Sequence, residues 1–278
     1  MAEGQTGRMK CFMCTASNAL PYMTAGVHVL ERCSGCGLVY GANFSPDSVS
    51  YRGDEYFVRK NEYVQHWEEF CVLFGRLLEK IERFKPHGVL LDVGAGVGIL
   101  LHVARQRGFI THGVEVSEWA SAYARNERKL DVVAGTLEDA AFPDSKFDVI
   151  VINHVLEHVP DPLEVLRAAR RILKDDGVIV VGVPNIGSIM AGVLRERWPS
   201  LRPEEHIWHF NPSTLRRLIR KAGLREVHFE ARDNYAACGW RPKAVARRLI
   251  NIASVLTNRS EAMLIITMKQ HSLGSQGN

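Results

Sequence analysis

The sequence contains no apolar run near the ~20 residues that a membrane-spanning helix needs. Its N-terminus has no charged-then-apolar signal peptide, so we expect a cytoplasmic protein. Neither sign of charge dominates, because 35 basic and 31 acidic residues leave a net charge of +4, which by itself gives no argument for nucleic-acid binding. With 278 residues, 46% of them hydrophobic, the chain can bury the core of one large domain and a small appendage.

Cysteine is scarce, and four of the six cysteines fall into two CxxC pairs. Cys11 and Cys14 form the first pair, and Cys33 and Cys36 form the second pair after 18 intervening residues. This spacing is typical of a four-cysteine zinc ribbon, whose closed tetrahedral shell makes the metal structural. Two disulfides are the competing interpretation, which the expected cytoplasmic setting disfavours.

The most informative stretch is residues 89–98, where an apolar run of strand length ends in a glycine-rich turn and a helical pattern begins at once. Such a turn lets the backbone approach a nucleotide closely. The glycines are spaced G-x-G-x-G rather than the dinucleotide G-x-G-x-x-G, and Asp92 precedes them. A carboxylate there would repel a diphosphate but suits a ligand with an ammonium or sulfonium group, such as S-adenosylmethionine (SAM).

An acidic residue followed by G-x-G-x-G resembles the first motif of the class I SAM-dependent methyltransferases. The resemblance covers residues 86–268 and implies an α/β, Rossmann-like, seven-stranded and mostly parallel sheet with helices on both faces, plus the small N-terminal ribbon. Ribbon and core together resemble bacterial methyltransferases of sugar and natural-product pathways. The cofactor residues predicted in and before the turn are Asp92, Gly94, Ala95, Gly96 and Gly98.

Three later segments add predicted cofactor residues. Glu115 ends the next strand 23 positions beyond Asp92, close to the offset at which an acid meets ribose hydroxyls in nucleotide folds, and Val116 follows it. The loop at residues 135–139 corresponds to the adenine loop of the family, but Thr136 stands where an acid often follows the glycine. The adenine contact therefore passes to Glu138, to Asp139 or to backbone groups of the loop. Leu137 and Glu138 are the predicted cofactor residues of this loop, and Asn153, which ends a buried strand at the same edge, is another.

Histidines follow Asn153 at once, in the sequence His-Val-Leu-Glu-His-Val-Pro-Asp-Pro. This resembles the L-E-H-V-x-D-P segment of ubiquinone-type and of sugar or antibiotic O-methyltransferases. If residues 154–158 form one helical turn, His154 and His158 face the transferable methyl with Glu157 beside them. Three interpretations stay open: a histidine base, a histidine that only fixes the loop, and a metal cluster resembling the Glu-x-x-Glu-His site of some RNA-end or quinol methyltransferases.

Residues 186–211 form an insertion without clear periodicity, of a length typical of a lid or a substrate-binding segment. A His-x-x-x-Phe segment in this region is common in the family, which makes His206 a second base candidate beside an interpretation in which it only caps or packs. The predicted organisation is a disordered tail at 1–10, the zinc ribbon at 11–45, a linking helix at 46–87, the methyltransferase domain at 88–270 with the lid at 186–211, and a disordered tail at 271–278.

The leading functional hypothesis is SAM-dependent methyl transfer to a small-molecule acceptor, with a hydroxyl of a sugar, quinol or natural-product intermediate as the expected methylated group. An RNA methyltransferase that uses the ribbon and a basic helix at residues 242–256 is the first alternative, although basic residues are sparse in the ribbon. A SAM-binding or assembly module without catalysis is the second. The sequence predicts neither the acceptor nor the oligomeric state.

Overall fold

The computed structural model describes residues 11–42, 62–232 and 259–270, together with Ser254 and Thr257. The predicted tails, the first part of the linking helix, Cys238 and almost all of the basic helix at 242–256 lie outside the described residues. Within the described part of the chain, no helix combines the length and the apolar character needed to cross a membrane.

Strands and helices alternate through most of the chain. In chain order the strands are β1 (Ala19–Ala25), β2 (His28–Cys33), β3 (Val39–Gly41), β4 (Val89–Val93), β5 (Ile110–Glu115), β6 (Val132–Ala134), β7 (Phe147–Asn153), β8 (Leu173–Pro184), β9 (Trp208–His209), β10 (Leu224–Arg232) and β11 (Ala262–Lys269). The helices are α1 (Glu62–Gln65), α2 (Trp67–Glu82), α3 (Ile99–Gln106), α4 (Glu118–Asn126), α5 (Pro162–Ile172), α6 (Ile189–Leu194) and α7 (Pro212–Lys221).

The larger sheet has seven strands among the described residues, in the order β10-β11-β8-β7-β4-β5-β6. Strands β8, β7, β4, β5 and β6 run parallel, while β11 is antiparallel to both of its neighbours. Alternate strand residues enter two separate core clusters, with Leu90 and Val151 in one and Leu91 and Ile152 in the other. Both faces are therefore covered, which explains the continuous apolar runs of these strands and confirms the predicted fold class.

The sheet order places a ligand crevice at β4. The chain leaves β4 toward β5 on one side, while β7 pairs with β4 on the other side. At such a switch point the loops after the strands separate, and ligands bind beside the carboxyl ends. The glycine-rich turn, Glu115 and Asn153 all lie at this edge, because each stands at or just after the carboxyl end of β4, β5 or β7.

The cysteine-containing segment forms a second, four-stranded sheet in the order β1-β2-β3-β9. Its last strand comes from the insertion at 186–211, and Val39 and Tyr40 of β3 lie opposite His209 and Trp208. The insertion is therefore partly ordered by the ribbon, and the end of it is buried rather than exposed. The role of its remaining residues as a lid stays a prediction.

Candidate functional site

The glycine-rich turn closes over the end of β5. The amides of Gly94 and Ala95 both donate to the carbonyl of Val114, at 2.9 and 3.0 Å, and helix α3 begins directly after Gly98. Gly94, Gly96 and Gly98 all have positive φ, at 76, 53 and 86°. A side chain is disfavoured by the backbone at each of these positions, as the motif predicts.

Gly94 also lies against the histidine turn. A Cβ at Gly94 would approach Cγ2 of Val155 to 2.6 Å, closer than packed carbon atoms come. The side chain of Val155, in the loop after β7, therefore packs directly against the backbone of Gly94. This contact brings the predicted cofactor side and the predicted acceptor side of the site together.

Two buried carboxylates stand behind the turn. One oxygen of Glu115 accepts a hydrogen bond from the amide of Gly96 at 2.7 Å, and the other accepts from the amide of Ser117 at 2.9 Å. Each oxygen of the Glu115 carboxylate has two acceptor positions, so the carboxylate can accept hydrogen bonds from ribose hydroxyls beside those from the amides. Burial raises the pKa of Glu115, although these amide hydrogen bonds oppose that effect.

Asp92 is buried at the end of β4. Burial raises its pKa well above the usual range, and the nearby carboxylate of Glu115 adds to the increase. A cation beside Asp92 would reverse this effect, because an opposite charge at short range favours the ionised form.

The predicted adenine loop has its own hydrogen-bond network. The carboxylate of Asp139 accepts from the amide and the hydroxyl of Thr136, both at 2.8 Å. Leu137 is buried, whereas Glu138 is exposed, and Val116 lies at the start of the loop after β5. The Asp139 carboxylate is thus hydrogen-bonded to Thr136 within the loop. Glu138 is the other acid of the loop, and it is exposed.

The predicted helical turn at residues 154–158 does not form. His154 has a φ of 58° and donates its amide to the carbonyl of Gly182 on β8, so it extends the sheet pairing instead of starting a helix. A tighter turn follows, in which the amide of His158 bonds to the carbonyl of Val155. His154 and His158 are consequently not stacked at helical spacing, and Nδ1 of His154 lies 3.0 Å from Glu157.

His158 faces His206 across the site. Their rings are edge to face, with centroids 4.7 Å apart, although 48 positions separate them in sequence. Nδ1 of His158 lies 3.0 Å from the carbonyl of Glu205, and Nδ1 of His206 lies 3.1 Å from the carbonyl of Ser200. Because a carbonyl only accepts, Nδ1 carries the proton in each neutral ring, and Nε2 keeps a lone pair for a proton or a metal.

Glu157 completes this cluster. Burial alone would raise its pKa, but the hydrogen bond with His154 and the nearby His158 and His206 lower it to about 2. Its Oε2 is buried and has no hydrogen-bond partner among the described residues. Glu157, His158 and His206 each offer one ligand atom, and these atoms lie within 4.8 Å of one another. The cluster can therefore accept a proton or hold a divalent cation. In either case Oε2 of Glu157 would gain a partner.

The two later histidines are buried more deeply than His158. Burial lowers the pKa of His206 well below its usual value, and the neighbouring His158 lowers it further. Burial likewise lowers the pKa of His209 to about 4. Both rings are therefore neutral near pH 7. His158 is half-buried, as is His154, so these two rings are more accessible than those of His206 and His209.

Sequence reasoning did not assign roles to Trp208 and His209. Trp208 donates its indole N–H to the carbonyl of Val159 at 2.9 Å, and Nε2 of His209 is buried without a partner in the described structure. The only local signal was the concentration of aromatic residues in the segment 206–210. That signal indicates burial but not the element on which the segment packs.

The four cysteines of the ribbon lie together. Sγ of Cys11 is 3.5 Å from Sγ of Cys36, and Sγ of Cys14 is 3.3 Å from Sγ of Cys33. These distances are too long for disulfides, whose sulfur atoms are about 2.05 Å apart. They approach the ~3.8 Å that tetrahedral geometry with Zn–S bonds of about 2.3 Å requires. A hydrogen bond from Cys36 lowers the pKa of Cys11 to about 5, despite its burial.

Comparisons with known proteins identify the family of the chain. A family model described as a methyltransferase domain matches residues 62–228. A ubiquinone biosynthesis O-methyltransferase from Thiobacillus denitrificans is 33% identical over 147 residues, which cover 49% of this chain and 63% of that protein. This chain thus spans less than two thirds of the length of that relative.

Solved structures share the fold. A SAM-dependent methyltransferase from Archaeoglobus fulgidus has 25% identity and a TM-score of 0.57, covering 77% of this chain and 99% of its own. The 1,6-didemethyltoxoflavin-N1-methyltransferase of Burkholderia thailandensis has 16% identity and a TM-score of 0.55, covering 90% and 99%, and it shows the fold alone. Since the family model matches more than half of the chain, the chain belongs to the methyltransferase domain family, with the fold of its SAM-dependent class.

Proposed function

We propose that the protein transfers a methyl group from SAM to a hydroxyl of a small molecule, such as a sugar, a quinol or a natural-product intermediate. The observation that carries this proposal is the contact between Gly94 and Val155. It brings a turn suited to SAM beside a histidine cluster suited to deprotonating an acceptor. The name of the Thiobacillus denitrificans relative, which is an O-methyltransferase, supports the hydroxyl as acceptor.

On the cofactor side, Asp92 and the turn containing Gly94, Ala95, Gly96 and Gly98 hold the methionine part of SAM. Glu115 accepts hydrogen bonds from the ribose hydroxyls, with Val116 and Leu137 against the adenine. Glu138 and Asn153 complete the predicted set of cofactor contacts. The sulfonium is already an activated methyl donor, so orientation of the two reactants supplies much of the rate acceleration.

On the acceptor side, His158 is the proposed base. As the acceptor oxygen attacks the methyl carbon, the C–S bond breaks, a C–O bond forms, and the hydroxyl proton moves to Nε2 of His158. Glu157 stabilises the imidazolium that results, because its carboxylate is ionised and close. His206 packs against His158 and limits its orientation. A placed base of this kind contributes roughly 10²–10⁴-fold to the rate.

The same three residues also fit a metal. A divalent cation held by Glu157, His158 and His206 would supply a Lewis acid that lowers the pKa of an acceptor hydroxyl. The ligand chemistry suits this role, because one carboxylate and two histidines leave positions open. Methyl transfer that survives a chelator and gains nothing from added Mg²⁺ or Mn²⁺ would support His158 as a metal-independent base instead.

We further infer that Cys11, Cys14, Cys33 and Cys36 bind one structural zinc ion. We expect about one equivalent of zinc per chain by elemental analysis of the purified protein, since four thiolates close the coordination shell. Cys36→Ser should lower the zinc content and the melting temperature, because a ligand is lost. Cys71→Ser, which lies outside the cluster, is the matched control. Full zinc content in Cys36→Ser would contradict the assignment.

Calorimetric titration with SAM and, separately, with NAD tests the cofactor. We expect SAM binding, no NAD binding, and at least tenfold weaker SAM binding by Glu115→Ala, because the buried acid organises the turn and meets the ribose. Glu118→Ala, an acid in the first turn of α4, is the control. NAD binding, or equal SAM affinity in Glu115→Ala and Glu118→Ala, would contradict the proposed cofactor site.

One observation favours an RNA acceptor as the second candidate. A groove of about 670 Å³ runs between the ribbon and α7, lined by Met13, Cys14, Thr15, Arg217, Arg220 and Lys221. The basic side chains Arg217, Arg220 and Lys221 have no acidic residue beside them in the lining, which suits contact with phosphates. Lys221 also donates a hydrogen bond to the carbonyl of Met13 at 2.7 Å. Binding of single-stranded RNA that falls steeply with salt would favour this candidate.

A further inference from the structure

Strand β9 belongs to the ribbon sheet and borders the histidine cluster. On one side it pairs with β3, where Tyr40 lies opposite Trp208. On the other side it follows His206 after a single residue. Strand β9 therefore links the ribbon sheet to a residue of the cluster. Trp208 makes contacts in both directions.

Toward the ribbon, the indole of Trp208 packs on aromatic rings. Its ring centroid lies 4.6 Å from that of Phe12 and 5.9 Å from that of Tyr40, both edge to face. Phe12 stands between Cys11 and Cys14, within a turn closed by a 2.7 Å hydrogen bond from the amide of Thr15 to the carbonyl of Cys11. The position of Phe12 thus depends on the CxxC turn, and hence on what the cysteines bind.

Toward the site, Trp208 holds the segment that contains Glu157 and His158. Its indole N–H donates to the carbonyl of Val159 at 2.9 Å. The carbonyl of Glu157 accepts from the amide of Ile207 at 2.8 Å and from the amide of Trp208 at 3.2 Å. Three hydrogen bonds from two adjacent residues therefore fix the backbone on either side of His158.

We propose that Trp208 is a positioning residue through which the metal-bound ribbon holds His158 and His206 in register. In this proposal the ribbon helps to position the histidines on the acceptor side of the site. Trp208 acts through the backbone of Glu157 and Val159. The catalytic consequence rests on the proposed methyl transfer and the role of the ribbon rests on the proposed zinc site, whereas the contacts of Trp208 rest on neither.

Trp208→Phe in the full-length, zinc-loaded protein tests this coupling. Phenylalanine keeps a ring against Phe12 but removes the N–H donor to Val159. Trp198→Phe is the matched control, because Trp198 is equally buried in the same insertion and its indole N–H has no partner among the described residues. The two variants lose similar volume, and the former also loses a hydrogen bond.

The readout is the imidazole ¹³C–¹H spectrum of the histidines, assigned with single His→Gln variants, together with SAM titration. We expect the His158 and His206 signals to shift in Trp208→Phe more than in Trp198→Phe, with His102 unchanged and SAM affinity within about twofold of wild type. Loss of zinc in Cys36→Ser should shift the same two signals, and this substitution, unlike a chelator, leaves Glu157, His158 and His206 unchanged.

Unchanged His158 and His206 signals in Trp208→Phe would overturn the proposal. If the His158 and His206 signals shift in Trp208→Phe but do not shift when zinc is lost, the role of the ribbon is overturned. Because neither spectrum needs turnover, these outcomes are separate from failure of the proposed function, which would appear as absent SAM binding in the wild type. Where an acceptor supports turnover, kcat of Trp208→Phe should fall on the order of tenfold with KM nearly constant, because the base is misplaced.

Discussion

Glu157→Gln is expected to reduce methyl transfer by at least about 100-fold while SAM affinity stays within about twofold of wild type. The substitution preserves the shape of the side chain but removes a carboxylate that lies within 4.8 Å of the ligand atoms of His158 and His206. Loss of the negative charge destabilises the imidazolium that forms on His158 when the acceptor is deprotonated. It also removes one of the candidate metal ligands, so the expected direction is the same for a base and for a metal.

The measurement is transfer of a radiolabelled methyl group from SAM to the best acceptor in a panel of catechols, sugars and phenols, with SAM calorimetry in parallel. Glu164→Gln is the control, because Glu164 is an exposed acid on α5 that pairs with Arg167. Its activity should match that of the wild type. Wild-type activity in Glu157→Gln would remove the cluster from the mechanism.

Gly98→Ala is expected to weaken SAM binding by about tenfold or more and to lower the melting temperature. The φ of Gly98 is 86°, where an L-residue costs roughly 1–2 kcal/mol. A Cβ there would also collide with Cδ1 of Leu130 and come within 3.3 Å of Cβ of Ala124. Since Leu130 is buried, the collision must displace its side chain, the glycine turn or the helix that follows the turn.

Gly108→Ala separates these two effects. Gly108 has a nearly identical φ of 88°, but a Cβ there would meet no atom within 4 Å. This control should therefore show only the backbone cost, whereas Gly98→Ala adds roughly 1–3 kcal/mol of overpacking, or about 2–10 °C in melting temperature. Partial recovery in the double variant Gly98→Ala/Leu130→Ala would identify the collision as the cause. Equal melting temperatures and SAM affinities in the two alanine variants would contradict it.

Local patterns in the sequence predicted most of the larger sheet. Asn153 ends a buried strand, as predicted, and the helix after the glycine turn begins at Ile99, as its periodicity indicates. These elements are predictable because burial on both faces of a parallel sheet demands an apolar run, and because a turn with three positive φ angles demands glycine. The two CxxC pairs likewise predicted a cluster of cysteines.

The conformation at His154 was not predictable in this way. The segment after β7 has residues compatible with a helical turn, but a 2.8 Å hydrogen bond from the amide of His154 to Gly182 extends the pairing with β8 and changes the direction of the chain. As a result, the partner of His158 is His206 and not His154. The competing hydrogen-bond acceptor lies on another strand, so no local pattern reports it.

The sequence by itself determined that this chain has a SAM-type glycine turn in a parallel sheet, a cysteine cluster, and histidines after β7. Only the tertiary structure decided which histidines meet and how the ribbon is attached. Both depend on β9, which pairs with a strand about 170 positions earlier and carries His206 to His158. Such contacts arise because buried aromatic surface and unpaired backbone groups must find partners wherever the fold presents them, and two residues of strand leave almost no periodic signal.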